Sequence, residues 1–210
     1  MINISLAGIG GQGSVLAAKI LAETARSKGW QVRTAETTGM AQRGGNVMSH
    51  VRMGDNGEEV FSPLPAQASD DLIIALEPGE GLRALSLLKP HGLLVTASSG
   101  VAPVVSSFKA DPYNPSDMIA SLQKSDAHVV VVDDEDICGK LGSRKALNIV
   151  MLARALCAVN EPRYHNALCG KITLSDMRDI IPVCALKNVL CHLTCVLSIW
   201  QKKVHNTLLN

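Results

Sequence analysis

With 210 residues, 47% of them hydrophobic and 19% charged, the chain is sized for one well-buried α/β domain of a soluble protein. A net charge of +1, from scattered basic residues, leaves no electrostatic footprint for nucleic acid. Only six residues are Phe, Trp or Tyr, so the core must be built from Leu, Val, Ile, Ala and Met.

Ile2 to Ala7 reads as a short apolar strand that runs directly into Gly8-Ile9-Gly10-Gly11-Gln12-Gly13. Gly8, Gly10 and Gly13 fit G-x-G-x-x-G, in which one glycine makes the turn, one lets the backbone approach a phosphate, and one lets helix and strand pack closely. From Ser14 to Lys28, Val15, Ala18, Leu21, Ala22 and Ala25 recur at helical spacing, and Gly29 stands where a helix-ending glycine belongs. That helix would aim free N–H groups and its positive dipole end at an anion. Val32 to Glu36 is a second strand, and Glu36 occupies the place of the acid that a dinucleotide site expects there. The plainer reading of the glycines is a tight turn that merely connects strand to helix.

Thr37 to Gly45 is a loop containing Gly39, Gln42, Arg43, Gly44 and Gly45. Arginine's planar fork suits phosphate or carboxylate, and the glycines let a ligand reach the backbone. In a doubly wound sheet this loop would share the strands' carboxyl edge with the first one. A surface turn with a solvated arginine is the alternative. Next, Asn46 to Met53 reads as a strand on which His50 and Arg52 share one face. Gly54-Asp55-Asn56-Gly57 signals a hairpin to Glu59-Val60-Phe61. His50 as a general base lacks a visible partner, and a polar strand face is its simpler role.

Asp71 to Leu76 is a continuous apolar run, as in a central parallel strand. Gly79 to Leu88 reads as a helix, Leu93 to Thr96 as a strand, Asp117 to Lys124 as a helix, and Val129 to Val132 as another buried strand. From Ser143 onward the pattern is helical only: Arg144 to Val159, Thr173 to Ile181, and Cys184 to about residue 204. The expected fold is a doubly wound, mostly parallel, Rossmann-like α/β sheet in one domain over 1–210, with a β-hairpin insertion near 46–62 and a helical C-terminal part over 143–210.

The six cysteines, Cys138, Cys157, Cys169, Cys184, Cys191 and Cys195, form no C-x-x-C pair and are expected to be reduced thiols packed as small apolar groups. Cys184 and Cys195 would stand about 16 Å apart along one helix, too far for one metal. The apolar stretch from Val183 to Trp200 carries Lys187, Asn188 and His192, which argues against a membrane span. Met1 leads directly into a strand without a signal-peptide pattern, so a cytoplasmic location is expected. The sequence also lacks the closely spaced cysteines of a ferredoxin-type cluster, a thiamine-diphosphate motif and a catalytic triad.

Four blocks occur in order: Gly8 to Gly13, Thr38 to Gly45, Ser49-His50-Val51-Arg52, and Ala75-Leu76-Glu77-Pro78. Together they resemble the gamma subunit, or gamma domain, of the 2-oxoacid:ferredoxin oxidoreductases, most of all the small beta subunit of the indolepyruvate type. The likeness is clear over roughly residues 1–100. It implies a multi-subunit enzyme that oxidatively decarboxylates an arylpyruvate with coenzyme A and passes electrons to ferredoxin. It also implies a larger alpha subunit that carries thiamine diphosphate and the iron–sulfur clusters. The chain itself would hold no catalytic residue and no metal, would be inactive alone and would self-associate as a homodimer. Its loops, Gly8, Gly10, Gly11, Gln12 and Gly13 with Gly39, Gln42, Arg43, Gly44 and Gly45, would hold an anionic group such as coenzyme A. In that arrangement Arg43 orients the anion while Gly10, Gly11 and Gly13 offer N–H groups. Pyruvate and 2-oxoglutarate relatives, a purely structural subunit and a stand-alone Rossmann-type nucleotide-binding protein stay open as alternatives.

Overall fold

A computed structural model describes residues 1–39, 45–55, 57–101, 113–160 and 171–177. Its centre is a six-stranded sheet in the order β2-β3-β1-β4-β5-β6. β1 (Ile2–Ile9) is flanked by β3 (Asn46–Gly54), antiparallel, and β4 (Asp70–Ala75), parallel. β5 (Leu88–Ala97) and β6 (His128–Val132) continue the parallel side. β2 (Gln31–Thr38) pairs antiparallel with β3 and so runs parallel to β1. The sheet is thus mostly parallel, as expected, with one reversed strand inside it.

Alternation of side chains across the sheet divides the core in two. Ile2, Ile4 and Leu6 face α1 (Ser14–Ser27) and α5 (Leu147–Val159), joined by Val51, Met53, Leu72 and Ile74. Ala7, Ile73 and Leu94 face the other way, packing with Ala84 of α2 (Pro78–Ala84) and Leu122 of α3 (Pro115–Gln123). α4 (Asp134–Lys140) follows β6, and α6 (Leu174–Met177) lies against α1, held by Lys28 on Asp176 at 2.8 Å. The expected helices beyond residue 177 and Gln42, Arg43 and Gly44 lie outside the described residues.

The expected hairpin is corrected. Glu58 N–H does donate to Asp55 C=O at 3.0 Å, so the chain turns, but Glu59-Val60-Phe61 forms no strand. The reason is topological: β3 has β1 on one edge and β2 on the other, leaving no free edge for a third partner. The real hairpin joins β2 to β3. Residues 60–64 instead lie against side chains of these strands, with Arg52 Nη1 donating to Ser62 C=O at 2.7 Å and Arg33 Nε to Val60 C=O at 3.3 Å. β6 also differs from expectation. It is the last strand of the sheet, so Val129, Val130 and Val131 are half-buried rather than enclosed. The predicted helix from Gly79 to Leu88 ends earlier, passing through one 3-10 turn at Leu85–Leu87 before Leu88 opens β5.

Polar groups are buried inside the sheet. His50 is 6% exposed, its Nδ1 lies 2.8 Å from Ser5 Oγ, and burial pushes its imidazole below the ordinary value. It is therefore neutral at pH 7, through burial rather than through Arg52 as its neighbour. Asp70 is fully buried, and neither carboxylate oxygen has a hydrogen-bond partner among the described residues. Burial lifts its pKa to about 6; the Ser5 hydroxyl opposes this, though it stands in bonding geometry with His50 rather than with Asp70. An acid raised in this way takes up a proton on folding, so stability declines as pH rises from about 4 to 6 and the full penalty is present at neutral pH. Asp70→Asn should accordingly raise stability at pH 7.5 by roughly 1–3 kcal/mol and flatten the pH profile between pH 4 and 6. Urea denaturation across that range checks it, and an unchanged slope would contradict it.

Candidate functional site

The carboxyl ends of β1, β4, β5 and β6 form one edge of the sheet, the edge at which open α/β sheets bind ligands. β1 leaves it through Gly10 to Gly13, where Gln12 N–H closes on Ile9 C=O at 3.1 Å. Gly11 (φ 98°) and Gly13 (φ 85°) are left-handed, a region that L side chains rarely adopt. Gly13 is the N-cap of α1, which has no side-chain cap and no acid in its first turn. α1 therefore presents the free N–H groups and partial positive charge of a helix start without an internal anion to occupy them.

The starts of α2, α3 and α4 are different. Glu77 caps α2 through its own carboxylate, with Glu80 N–H donating to Oε2 at 2.8 Å. Asn114 caps α3 and Asp133 caps α4 in the same manner. Glu77 is only 2% exposed, its Oε1 lacks a partner among the described residues, and burial raises its pKa. The starts of α2, α3 and α4 are thus filled by side chains of the chain itself, whereas α1, which follows β1, has no side-chain cap.

The predicted site residues that the structure describes can now be placed. Gly10 N–H donates to Gly45 C=O at 2.9 Å, which ties the first loop to the end of the second. Gly39 N–H donates to Asn46 C=O at 2.8 Å and closes the base of the β2–β3 hairpin. The two loops do meet, but the Gly10 N–H is used in joining them and is not offered outward. The Gln12 side chain turns inward: Ile9 N–H donates to its Oε1 at 2.7 Å and its Nε2 donates to Leu76 C=O at 3.2 Å. Gly8 is required by that arrangement, since a Cβ there would stand 2.9 Å from Gln12 Oε1 and 3.2 Å from Leu76 Cβ. Gly11 is exposed with open space around it.

Asn148, in the first turn of α5, is a site residue with no sequence motif to announce it. It is buried, and its Nδ2 donates to Gly13 C=O at 3.1 Å. At the far end of the edge, fully buried Asp134 accepts from Ser98 N–H and Ser99 N–H, both at 3.0 Å, and from Arg144 Nη1 at 3.0 Å. An open concavity of about 310 Å³ beside it is lined by Glu135, Cys138, Gly139, Gly142, Ser143 and Arg144. Burial raises the Cys138 thiol, so it is no nucleophile at neutral pH. Among the described residues no three His, Cys, Asp or Glu are grouped to hold a metal ion.

Glu36 and His50 stay away from this edge. Glu36 pairs with Ser49 and Ser49 with Leu6, so a whole strand separates the predicted ribose acid from β1, roughly 10 Å in all. His50 sits opposite Ser5, four residues or about 13 Å down the strand from Ile9.

Comparison with known proteins agrees with this geometry. Residues 3–163 match the family described as pyruvate ferredoxin/flavodoxin oxidoreductase. Indolepyruvate oxidoreductase subunit IorB of Archaeoglobus fulgidus is 38% identical over 72% of this chain and 74% of its own length. The IorB subunit of Methanothermobacter thermautotrophicus is 34% identical over 86% of this chain and 88% of its own. Among solved structures, the gamma subunit of a keto/oxoacid ferredoxin oxidoreductase from Geobacter sulfurreducens covers 91% of each chain at TM-score 0.64 and 21% identity. The 2-oxoglutarate:ferredoxin oxidoreductase of Magnetococcus marinus, solved with 2-oxoglutarate, coenzyme A and succinyl-CoA, is similar over 91% of this chain but 28% of its own, at TM-score 0.60 and 19% identity.

The packing of the loop sets an order on its glycines. A Cβ on Gly13 would lie 2.5 Å from Asn148 Nδ2 as well as forcing a side chain into left-handed backbone, whereas Gly11 carries only the backbone penalty. Gly11→Ala should cost about 1–2 kcal/mol and Gly13→Ala clearly more. Chemical denaturation of the two variants tests this, and equal midpoints would remove Asn148 as the cause.

Proposed function

The chain belongs to the pyruvate ferredoxin/flavodoxin oxidoreductase family, and on that footing we propose that it is the small subunit of a 2-oxoacid:ferredoxin oxidoreductase of the indolepyruvate type. The observation that carries a binding role is the uncapped start of α1, where Gly11, Gly13 and the first turn present backbone N–H groups beside the second glycine loop. Such a cradle holds charge; it does not make or break bonds. We assign it an anionic group of the coenzyme A co-substrate, with Arg43 as the cation that orients it.

The rest of the reaction is assigned, within this proposal, to a partner subunit. Cys138, buried, and Cys157, half-buried, do not form a cluster ligand set with any other described residue. Thiamine diphosphate and the iron–sulfur clusters we assign to a larger alpha subunit, a reading supported by the relatives being named as subunits of oxidoreductases. In the complex the oxoacid loses carbon dioxide, the acyl group passes to coenzyme A and the electrons leave to ferredoxin. The preference for an arylpyruvate over pyruvate follows from the names of the IorB relatives, which match over more of the chain than the pyruvate synthase subunit PorC of Methanothermobacter thermautotrophicus does. No helix among the described residues is long and apolar enough to cross a membrane, in keeping with the cytoplasmic location proposed for the complex.

Co-expression with an alpha subunit of the indolepyruvate type and titration with coenzyme A test the proposal. Arg43→Gln should weaken coenzyme A binding about tenfold or more while the cofactors of the larger subunit are retained. The small chain alone should not reduce ferredoxin with indolepyruvate and coenzyme A. Ferredoxin reduction by the isolated chain, or wild-type affinity in the Arg43 variant, would contradict this reading.

A further inference from the structure

The loop pattern of a dinucleotide site is present, yet the place where a dinucleotide would cross the sheet is filled. Such ligands lie over the crevice at the topological switch point, where neighbouring strands send their connections to opposite faces. Here that point falls between β1 and β4. β1 leads into α1 on one face and β4 into α2 on the other. The Gln12 side chain lies across it, half-buried, joined to Ile9 N–H on the β1 side at 2.7 Å and to Leu76 C=O on the β4 side at 3.2 Å. Gly8 beneath it has no room even for a Cβ.

We propose that Gln12 is a specificity determinant that closes the crevice between β1 and β4 and so excludes dinucleotides such as NAD from a loop that otherwise matches their pattern. An anion at the start of α1 does not need the crevice. It approaches exposed Gly10 and Gly11 from outside and leaves Gln12 in place. A dinucleotide would have to turn Gln12 out, stranding the Ile9 N–H and the Leu76 C=O, a loss of roughly tenfold in affinity for each group. The inference deepens the reading of the glycine loop as an anion site and rests on it. It confines the ligand to one whose charged group docks on the α1 side alone.

Titration calorimetry of the full chain with NAD, and separately with coenzyme A, tests this in wild type, Gln12→Ala and Gln12→Met, with thermal melting to confirm folding. Gln12→Ala should bind NAD at least tenfold more tightly than wild type. Gln12→Met, which has no amide to bond across the crevice and so swings aside without stranding either group, should also bind NAD more tightly than wild type. Equal NAD affinity in wild type and Gln12→Ala overturns the proposal, as does a Gln12→Met variant that binds NAD as poorly as wild type. Should Gln12→Ala not fold, Gln12→Ser, whose hydroxyl still faces the loop backbone, takes its place under the same criteria. Coenzyme A that binds no variant would overturn the anion reading instead, and the NAD comparison would still decide the role of Gln12.

Discussion

The insertion of β3 between β1 and β2 constrains everything around it. A parallel βαβ unit normally sets its first two strands side by side, and the acid after the second strand then reaches the ligand held by the first loop. Here a reversed strand occupies that place. It moves Glu36 one strand further out, closes both edges of β3, and brings the β2–β3 hairpin to the carboxyl edge beside Gly10. One change of strand order thus removes the ribose contact of a dinucleotide site and supplies a second loop in its stead.

The helix ends along that edge are consistent with the same division. A helix start is attractive to anions unless the chain fills it, and a buried carboxylate is the strongest internal filler. α2 carries Glu77 and α4 carries Asp133 with three further acids in its first turn, whereas α1 carries glycine and no acid. The open start is also the one that is mechanically fixed, since Asn148 holds Gly13 from α5 and Gly45 holds Gly10 from the hairpin. A preorganised cradle loses little freedom when it binds, which is what a loop that holds charge without reacting requires.

Much of this was legible in the residues. The apolar run into Gly8 placed β1, the loop and α1, because strand period, glycine spacing and helix period all change at the same point. The continuous run after Asp70 placed β4 for a similar reason. The Asp55 to Gly57 turn was read correctly as a turn and wrongly as a hairpin, since a turn signal does not say whether the strand beside it has a free edge. Four consecutive valines read as a buried strand because hydrophobicity cannot distinguish a sheet centre from its edge. α4 escaped notice although Asp133 to Asp136 is an acid-rich helix start, the valine strand before it having drawn the pattern. Gln12 and Asn148 were beyond reach in a different sense. Their partners, Leu76 and Gly13, are 64 and 135 residues away, and no local period encodes such a contact.

What remains is why so many titratable groups sit inside a chain to which no proton transfer is assigned. His50, Asp70 and Glu77 are all nearly or wholly buried, and burial moves each toward its neutral form. His50 and Ser5 lie well below the carboxyl edge, and the Glu77 carboxylate is turned onto the start of its own helix. A general acid or base must reach the reacting atom, directly or through one water, and no such role is proposed for these three. What the start of α1 offers is backbone N–H donors without a side-chain cap or an acid in the first turn. Such donors stabilise a charge in one position without changing protonation, which is what the holding role proposed for the loop requires.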